Sequence, residues 1–193
     1  MTPITVPAFD CTNFPCLETQ RLELRALQQD DAPQIFELRS SKQVNQYLDR
    51  KPAASMEDAV GFINKIQSGM VTGKQIFWAI HLKGEKKLVG TVLLWNLSPA
   101  EAKAELGYEL LPDYQGKGLM QEAVRAALRY GFETMKLQTI EAFTLPVNKA
   151  SLRVLEKFHF TRDGEAEKRA DENDGRGDNV IYSLPASKFN PDE

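Results

Sequence analysis

Two cysteines and two histidines are too few to build a framework of covalent or metal cross-links in a chain of this length. Cys11 and Cys16 cannot form a disulfide scaffold, and only His81 and His159 could join them around a metal. The sequence therefore predicts reduced, structurally incidental thiols and no metal site. Long apolar runs are missing too. The longest, residues 88–95, is interrupted by Gly90 and Thr91 and falls far short of the roughly 20 residues that span a bilayer, so no membrane class is expected. The opening MTPITVPAFD has neither a basic start nor an apolar segment, which leaves no visible secretory signal and makes the cytoplasm the expected compartment. Charge of one sign is also scarce. A net charge of -3 argues against a broad nucleic-acid-binding surface and for a small or cationic partner.

What is present suits one soluble domain. Hydrophobic residues at 42% and charged residues at 26% of 193 positions exclude disorder and give enough material for one good core. Residues 1–18, with Pro3, Pro7 and Pro15, read as an extended arm. Residues 19–185 form the domain and residues 186–193 a tail. Within the domain, Arg21-Leu22-Glu23-Leu24-Arg25 alternates as a half-buried strand. Asp30, Asp31 and Pro33 open a helix to about Ser41. Residues 42–52 are irregular. Ser55 and Asp58 start a second helix that Gly69 and Gly73 end. Period-two runs at 76–82 and 88–95, joined by a polar turn at 83–86, are adjacent strands.

Further on, residues 139–145 are β-rich, Asn148 caps a helix through Phe158, and Phe160 begins another strand. Residues 168–178 read as an exposed charged loop, and residues 179–184 as a last strand. Asp171, Glu172 and Asp174 in that loop could attract a basic peptide, although a solvated charge run is the commoner reading. This order of elements predicts a mixed α/β domain rather than a wound parallel sheet.

The chain is organised around residues 105–132. Leu106, Tyr108 and Leu110 alternate with Glu105, Gly107 and Glu109 as a two-faced strand, which Pro112 and Asp113 stop. A helix follows, with Leu119, Ala123, Ala127 and Tyr130 on one stripe and Gln121, Arg125, Arg129 and Glu133 on another. Between them lies Gln115-Gly116-Lys117-Gly118. The first amides of a helix lack internal partners and sit at the positive end of its dipole, so small residues there admit an anion. A phosphate-bearing ligand follows. Two familiar fingerprints fail: a dinucleotide fold wants glycine where Gln121 stands, and a P-loop ends in Lys-Ser or Lys-Thr.

What does match is the turn-to-helix signature of the GNAT-type N-acetyltransferases. Gln115 and Gly118 stand at its spacing, and Met120 replaces the usual glycine or alanine. The neighbours agree in order: Leu106-Gly107-Tyr108, then Asn148-x-x-Ser151, then residues 153–160. With Gln121-Glu122-Ala123, Met120 resembles the branch that acetylates ribosomal-protein N-termini. His159 is a second departure, since glycine is usual there, and it bears on the local turn.

The resemblance implies a GNAT-like domain: a mostly antiparallel sheet, flanked by helices and splayed where acetyl-CoA lies. It implies that backbone groups of Leu110 and Leu111 pair with the pantetheine arm and that an amide there polarises the thioester carbonyl. The amides of Gln115, Gly116, Lys117, Gly118, Leu119 and Met120 would hold the pyrophosphate, with Lys117 a supporting cation or simply a solvated turn residue. Asn148 would bond the pantetheine amides, and Ser151 would serve the leaving thiolate, with Tyr108 and Tyr182 in reserve. Glu105 is the expected general base and Glu109 the second choice; surface ion pairing is the alternative for either. The expected reaction is acetyl transfer from acetyl-CoA to a primary amine, foremost a protein or peptide N-terminal α-amine of the ribosomal-protein kind. A small-molecule amine acceptor and a catalytically silent CoA-binding module are the alternatives, and a homodimer is compatible with each.

Overall fold

The computed structural model describes residue 9, residues 13–173 and residues 178–191, with backbone alone over 169–173. Cys11, Asp174 and the side chains of Asp171 and Glu172 lie outside the described residues. Eight strands form one sheet: β1 (Leu17–Glu18), β2 (Leu22–Ala26), β3 (Ile76–Leu82), β4 (Leu88–Ser98), β5 (Lys103–Leu110), β6 (Thr139–Thr144), β7 (Thr161–Arg162) and β8 (Val180–Pro185). Their spatial order is β1-β2-β3-β4-β5-β6-β8-β7. Every neighbouring pair is antiparallel except β5 and β6. A parallel pair needs a crossover, which the long helix between these two strands supplies.

Helices cover both faces: α1 (Ala32–Ser40), a single turn α2 (Lys42–Asn45), α3 (Met56–Val71), α4 (Leu119–Arg129), α5 (Lys149–Lys157) and α6 (Gly164–Asn173). Helix α4 runs on into a π turn over Tyr130–Thr134. On one face Phe62 of α3 meets Phe77 edge-on at 5.8 Å. On the other, Trp78 meets Tyr130 at 5.5 Å, and Gly131 sits so close to Leu94 and Ile140 that a Cβ there would approach them to 3.1 and 3.0 Å. Because both faces are covered, Ile76–Ile80 is buried at every position; such a strand loses its polar alternation. The arm packs on this core: Phe9 is buried, and Trp78 Nε1 donates to the Pro15 carbonyl at 2.8 Å.

Two of the expected helix caps are present, whereas Asp31 at the start of α1 makes no side-chain cap bond to that helix and accepts instead from Arg25 and from Gln28 N. Ser55 and Asp58 form a reciprocal capping box, and the Asn148 side chain accepts from the Ser151 amide at 3.1 Å. His159 takes φ 59, and the bonds from His159 N to Glu156 O and from Phe160 N to Leu155 O close α5 in a Schellman motif. The histidine therefore keeps the left-handed turn that glycine would serve.

Three further expectations change. Residues 42–52 are not wholly irregular, since Ser41 caps α2 through Val44 N. Gly69 lies inside α3, which ends only at Val71. The charged stretch from Lys168 is helical to Asn173, not loop. Asp163 starts that helix by accepting from Ala166 N at 2.9 Å, and Glu167 pairs with Arg162 at 2.9 Å. Charged residues with long side chains favour helix as readily as loop. No described helix is long and apolar enough to cross a membrane, and no group of three or more His, Cys, Asp or Glu among the described residues could hold a metal.

Candidate active site

Strands β5 and β6 are paired only from Lys103↔Thr139 to Glu105↔Glu141. Beyond Glu105 they part. On its other edge β5 stays paired with β4 as far as Gly90↔Leu110, and Leu111 N donates to Val89 O at 2.9 Å. Hydrogen-bonding direction alternates along an antiparallel strand, so the amides of Tyr108 and Leu110 point the other way, into the opening. Leu111 differs: its amide is taken by Val89, and its carbonyl accepts from Tyr114 N at 3.0 Å. Leu110, not Leu111, is thus placed to meet a ligand through its backbone.

The turn after β5 is a 3-10 turn, Pro112–Tyr114. The Gln115 amide bonds the Pro112 carbonyl at 3.1 Å, and its side chain donates to Leu110 O at 2.9 Å, lashing the loop to the strand. Gly116 and Gly118 have φ 72 and 75, a conformation that L side chains resist. Among the described residues the amides of Gly116, Lys117 and Gly118 make no turn hydrogen bond. Gly118 is the N-cap of α4 and brings no side chain to satisfy the helix amides. These bare amides begin at Gly116, one residue later than the resemblance implied. Lys117 is exposed, with its Nζ 5.6 Å from the Tyr114 ring centre.

The start of α5 closes the opening from the other side. Tyr108 Oη lies 2.9 Å from Ser151 Oγ. Burial pushes the Tyr108 phenol up to about 12, against a smaller opposing effect of the Ser151 bond. A cavity of ≈ 430 Å³ runs between these elements, lined by Tyr108, Leu110, Gly116, Gly118, Asn148 and Ser151 among others. Glu105, Leu111, Lys117 and Tyr182 are not on its wall. Tyr182 instead stands on β8 opposite Ala142 and Arg162.

The two candidate bases sit in different surroundings: Glu109 lines the cavity and Glu105 does not. Glu109 is clamped by Arg50, whose Nη1 meets Oε1 at 2.9 Å and whose Nη2 meets Oε2 in a second, shorter contact. Arg50 is held in turn by Asn45 at 2.6 Å. The neighbouring Arg39 guanidinium, stacked 3.9 Å over Phe62, is pushed down by burial, by repulsion from Arg50, and only partly restored by Glu109. Glu105 is 5% exposed and sits at the point where β5 and β6 part. Asn96 Nδ2 donates to its Oε1 at 2.6 Å. No local pattern pointed to Arg50 and Arg21, which reach the site from distant segments, or to Asn96, which reaches Glu105 from the neighbouring strand β4.

The sequence profile described as "Acetyltransferase (GNAT) domain" matches residues 21–161. The chain belongs to the GNAT acetyltransferases. It is 32% identical over 171 residues to the uncharacterized N-acetyltransferase YoaA of Bacillus subtilis (strain 168), covering 89% of this chain and 97% of that protein. It is 32% identical over 108 residues to the [Ribosomal protein uS5]-alanine N-acetyltransferase of Escherichia coli (strain K12), 55% of this chain and 54% of that one. The crystal structure of an acetyltransferase (GNAT family) from Bacillus anthracis superposes with a TM-score of 0.73 at 28% identity, over 90% of this chain and 99% of that chain.

As a GNAT enzyme the chain is an acetyl-CoA-dependent N-acetyltransferase. Its residues fit that cosubstrate. The left-handed glycines leave an amide-lined cradle for an anion, and a splayed strand edge offers hydrogen bonds to an extended arm.

Proposed function

We propose that this GNAT enzyme acetylates the α-amine at a protein or peptide N-terminus, of the kind that ribosomal proteins carry. The observation that carries an active enzyme, rather than a silent CoA-binding module, is the hydroxyl pair of Tyr108 and Ser151 on the cavity wall. Partial similarity to an alanine N-acetyltransferase for ribosomal protein uS5 supports the acceptor class.

In this reading the pantetheine arm lies along β5 from Leu110, its amides bonded by Asn148, with the pyrophosphate on the amides from Gly116 to Met120 and Lys117 near it. Glu105 accepts the proton of the incoming ammonium, directly or through one water. An α-amine titrates near ~8 and needs only a modest base. The Leu110 amide polarises the thioester carbonyl as the amine nitrogen bonds to it. The C–S bond then breaks, and the electron pair leaves on sulfur.

Ser151, backed by Tyr108, donates a hydrogen bond to that thiolate. A phenol at about 12 is a weaker acid than a thiol near ~8.5, so outright proton transfer from it would cost about 5 kcal/mol. The pair therefore stabilises the thiolate as a donor, and solvent returns the proton. Glu109, clamped by Arg50, shapes the acceptor side instead of acting as base.

The test is CoA release with a panel of short peptides, the same peptides pre-acetylated at the N-terminus, and polyamines. Turnover confined to free α-amino peptides supports the reading. Turnover with polyamines alone assigns a small-molecule acceptor, and CoA binding without turnover on any amine assigns the silent module.

A further inference from the structure

Arg21 lies nearly a hundred residues from the glycine loop in sequence and touches it in space. The turn that carries Arg21 is built by Thr19, whose amide donates to the Leu22 carbonyl at 3.0 Å while its hydroxyl accepts from Leu22 N at 3.0 Å. This turn docks on the first turn of α4 through Glu122. Glu122 Oε1 accepts from the Thr19 hydroxyl and, at 2.7 Å, from Arg21 N. Its Oε2 accepts from Arg21 Nε at 2.7 Å. Burial alone would raise the Glu122 carboxyl, but the bonds from Thr19 and Arg21 outweigh it and hold the group below the usual carboxylate range. The anchored guanidinium then reaches the loop: Nη1 donates to the Lys117 carbonyl at 3.0 Å, and Nη2 stands 3.5 Å from where a Cβ on Gly118 would sit.

The Lys117 carbonyl and the Gly118 amide belong to one rigid trans peptide plane, in which C=O and N–H point in opposite directions; the chain has no cis peptide bond among the described residues. Drawing the carbonyl toward Arg21 therefore turns the Gly118 N–H away from it, and glycine alone accommodates the resulting φ without strain. We propose that Arg21, anchored by Glu122, is a positioning residue of the cofactor loop, orienting the Gly118 amide toward the pyrophosphate of acetyl-CoA and placing its positive charge behind that peptide. This rests on the placement of the pyrophosphate at residues 116–120. Lys117 is then not the loop's sole cation, and the β1–β2 turn is part of the binding apparatus rather than an edge of the sheet.

The test compares two donors, acetyl-CoA and S-acetylpantetheine, which lacks the pyrophosphate. Wild type, Arg21→Gln, Arg21→Lys and Glu122→Gln are assayed by steady-state kinetics, with CoA affinity by calorimetry and thermal melting as a control for folding. In Arg21→Gln, the KM for acetyl-CoA and the Kd of CoA rise about tenfold to a hundredfold, while kcat changes less than about threefold and kcat/KM for S-acetylpantetheine stays within about twofold. Arg21→Lys keeps the charge but not the two-pronged grip, and loses about threefold to tenfold in the same selective way. Glu122→Gln, with Arg21 intact, falls between the two.

Unchanged CoA affinity in Arg21→Gln, or equal losses with both donors, overturns the inference while leaving the cofactor placement intact. A folded wild-type protein that prefers S-acetylpantetheine to acetyl-CoA overturns the placement itself. If Arg21→Gln does not fold, the Arg21→Lys comparison decides.

Discussion

The Tyr108 and Ser151 hydroxyls, 2.9 Å apart, join the strand that opens the cleft to the helix that closes it. Neither hydroxyl is a strong acid, so the contribution we propose for them is a hydrogen bond to a developing thiolate. A bond to a charged group is worth about 1.5–3 kcal/mol. Ser151→Ala is expected to lower kcat about tenfold to a hundredfold with the KM for acetyl-CoA little changed, and Tyr108→Phe to lower it about threefold to tenfold. Steady-state kinetics with both variants checks this; a Ser151→Ala enzyme with wild-type kcat counts against the assignment. With the phenol pushed up to about 12, turnover should also show no loss attributable to tyrosine ionisation up to about pH 10.

Asn148 serves two ends at once. Its side chain caps α5, and it faces the cavity. Asn148→Ala should cost about 1 kcal/mol of stability through the lost cap and weaken CoA binding as well. Asn148→Asp keeps the cap, so it should restore the melting temperature without restoring affinity. Thermal unfolding beside CoA titration separates the two roles.

Two helix caps and the glycine turn were legible in the sequence because each is a local rule. Ser55 with Asp58, Asn148 with the Ser151 amide, and Gly118 before an amphipathic run need only neighbours within a few residues. The splay was not readable in this way, because it depends on where the β5–β6 ladder stops, a relation between segments more than thirty residues apart. Arg50 on Glu109 and Arg21 on Lys117 were hidden for the same reason, whereas Asn96 on Glu105 spans only the turn between β4 and β5 and depends on the register shift there. The helix α6 was missed because a charged run fits both a loop and an exposed helix, and the deciding contacts come from Arg162 and Ile181 on neighbouring strands.

Gly118 and Gly61 offer a matched pair. At Gly118 the left-handed φ of 75 makes an L side chain cost about 1–2 kcal/mol, and Gly118→Ala should lose CoA affinity together with stability. Gly61 lies within α3 and has open space where a Cβ would go. Gly61→Ala should therefore gain about 0.5–1 kcal/mol with unchanged kinetics. Urea denaturation and CoA titration of both variants test the contrast.

His81 gives the fold a pH dependence remote from the cleft. It is 2% exposed, its Nε2 has no hydrogen-bond partner, and Asp31 Oδ1 lies 3.8 Å away. Desolvation and the Arg25 guanidinium push its pKa down, outweighing the pull of Asp31 and Glu23 and the bond to the Lys86 backbone. The folded state therefore binds fewer protons than the unfolded one. The stability is fully present above the unfolded value near ~6.5 and is lost as pH falls through it toward the lower folded value. Unfolding free energies should decline from pH 7.5 to 5.5, and the decline should flatten in His81→Asn.

The central claim is that acetyl transfer takes place where β5 and β6 part, with Glu105 as base. Glu105→Gln keeps an acceptor oxygen for Asn96 but removes the basic group. The most direct measurement is the pH dependence of turnover and the CoA affinity of this variant beside wild type. The account predicts a fall in kcat of about a hundredfold or more, with the Kd of CoA within about twofold and part of the lost rate recovered as rising pH deprotonates the amine without a base. A variant that turns over at the wild-type rate, with the same pH profile, would contradict it.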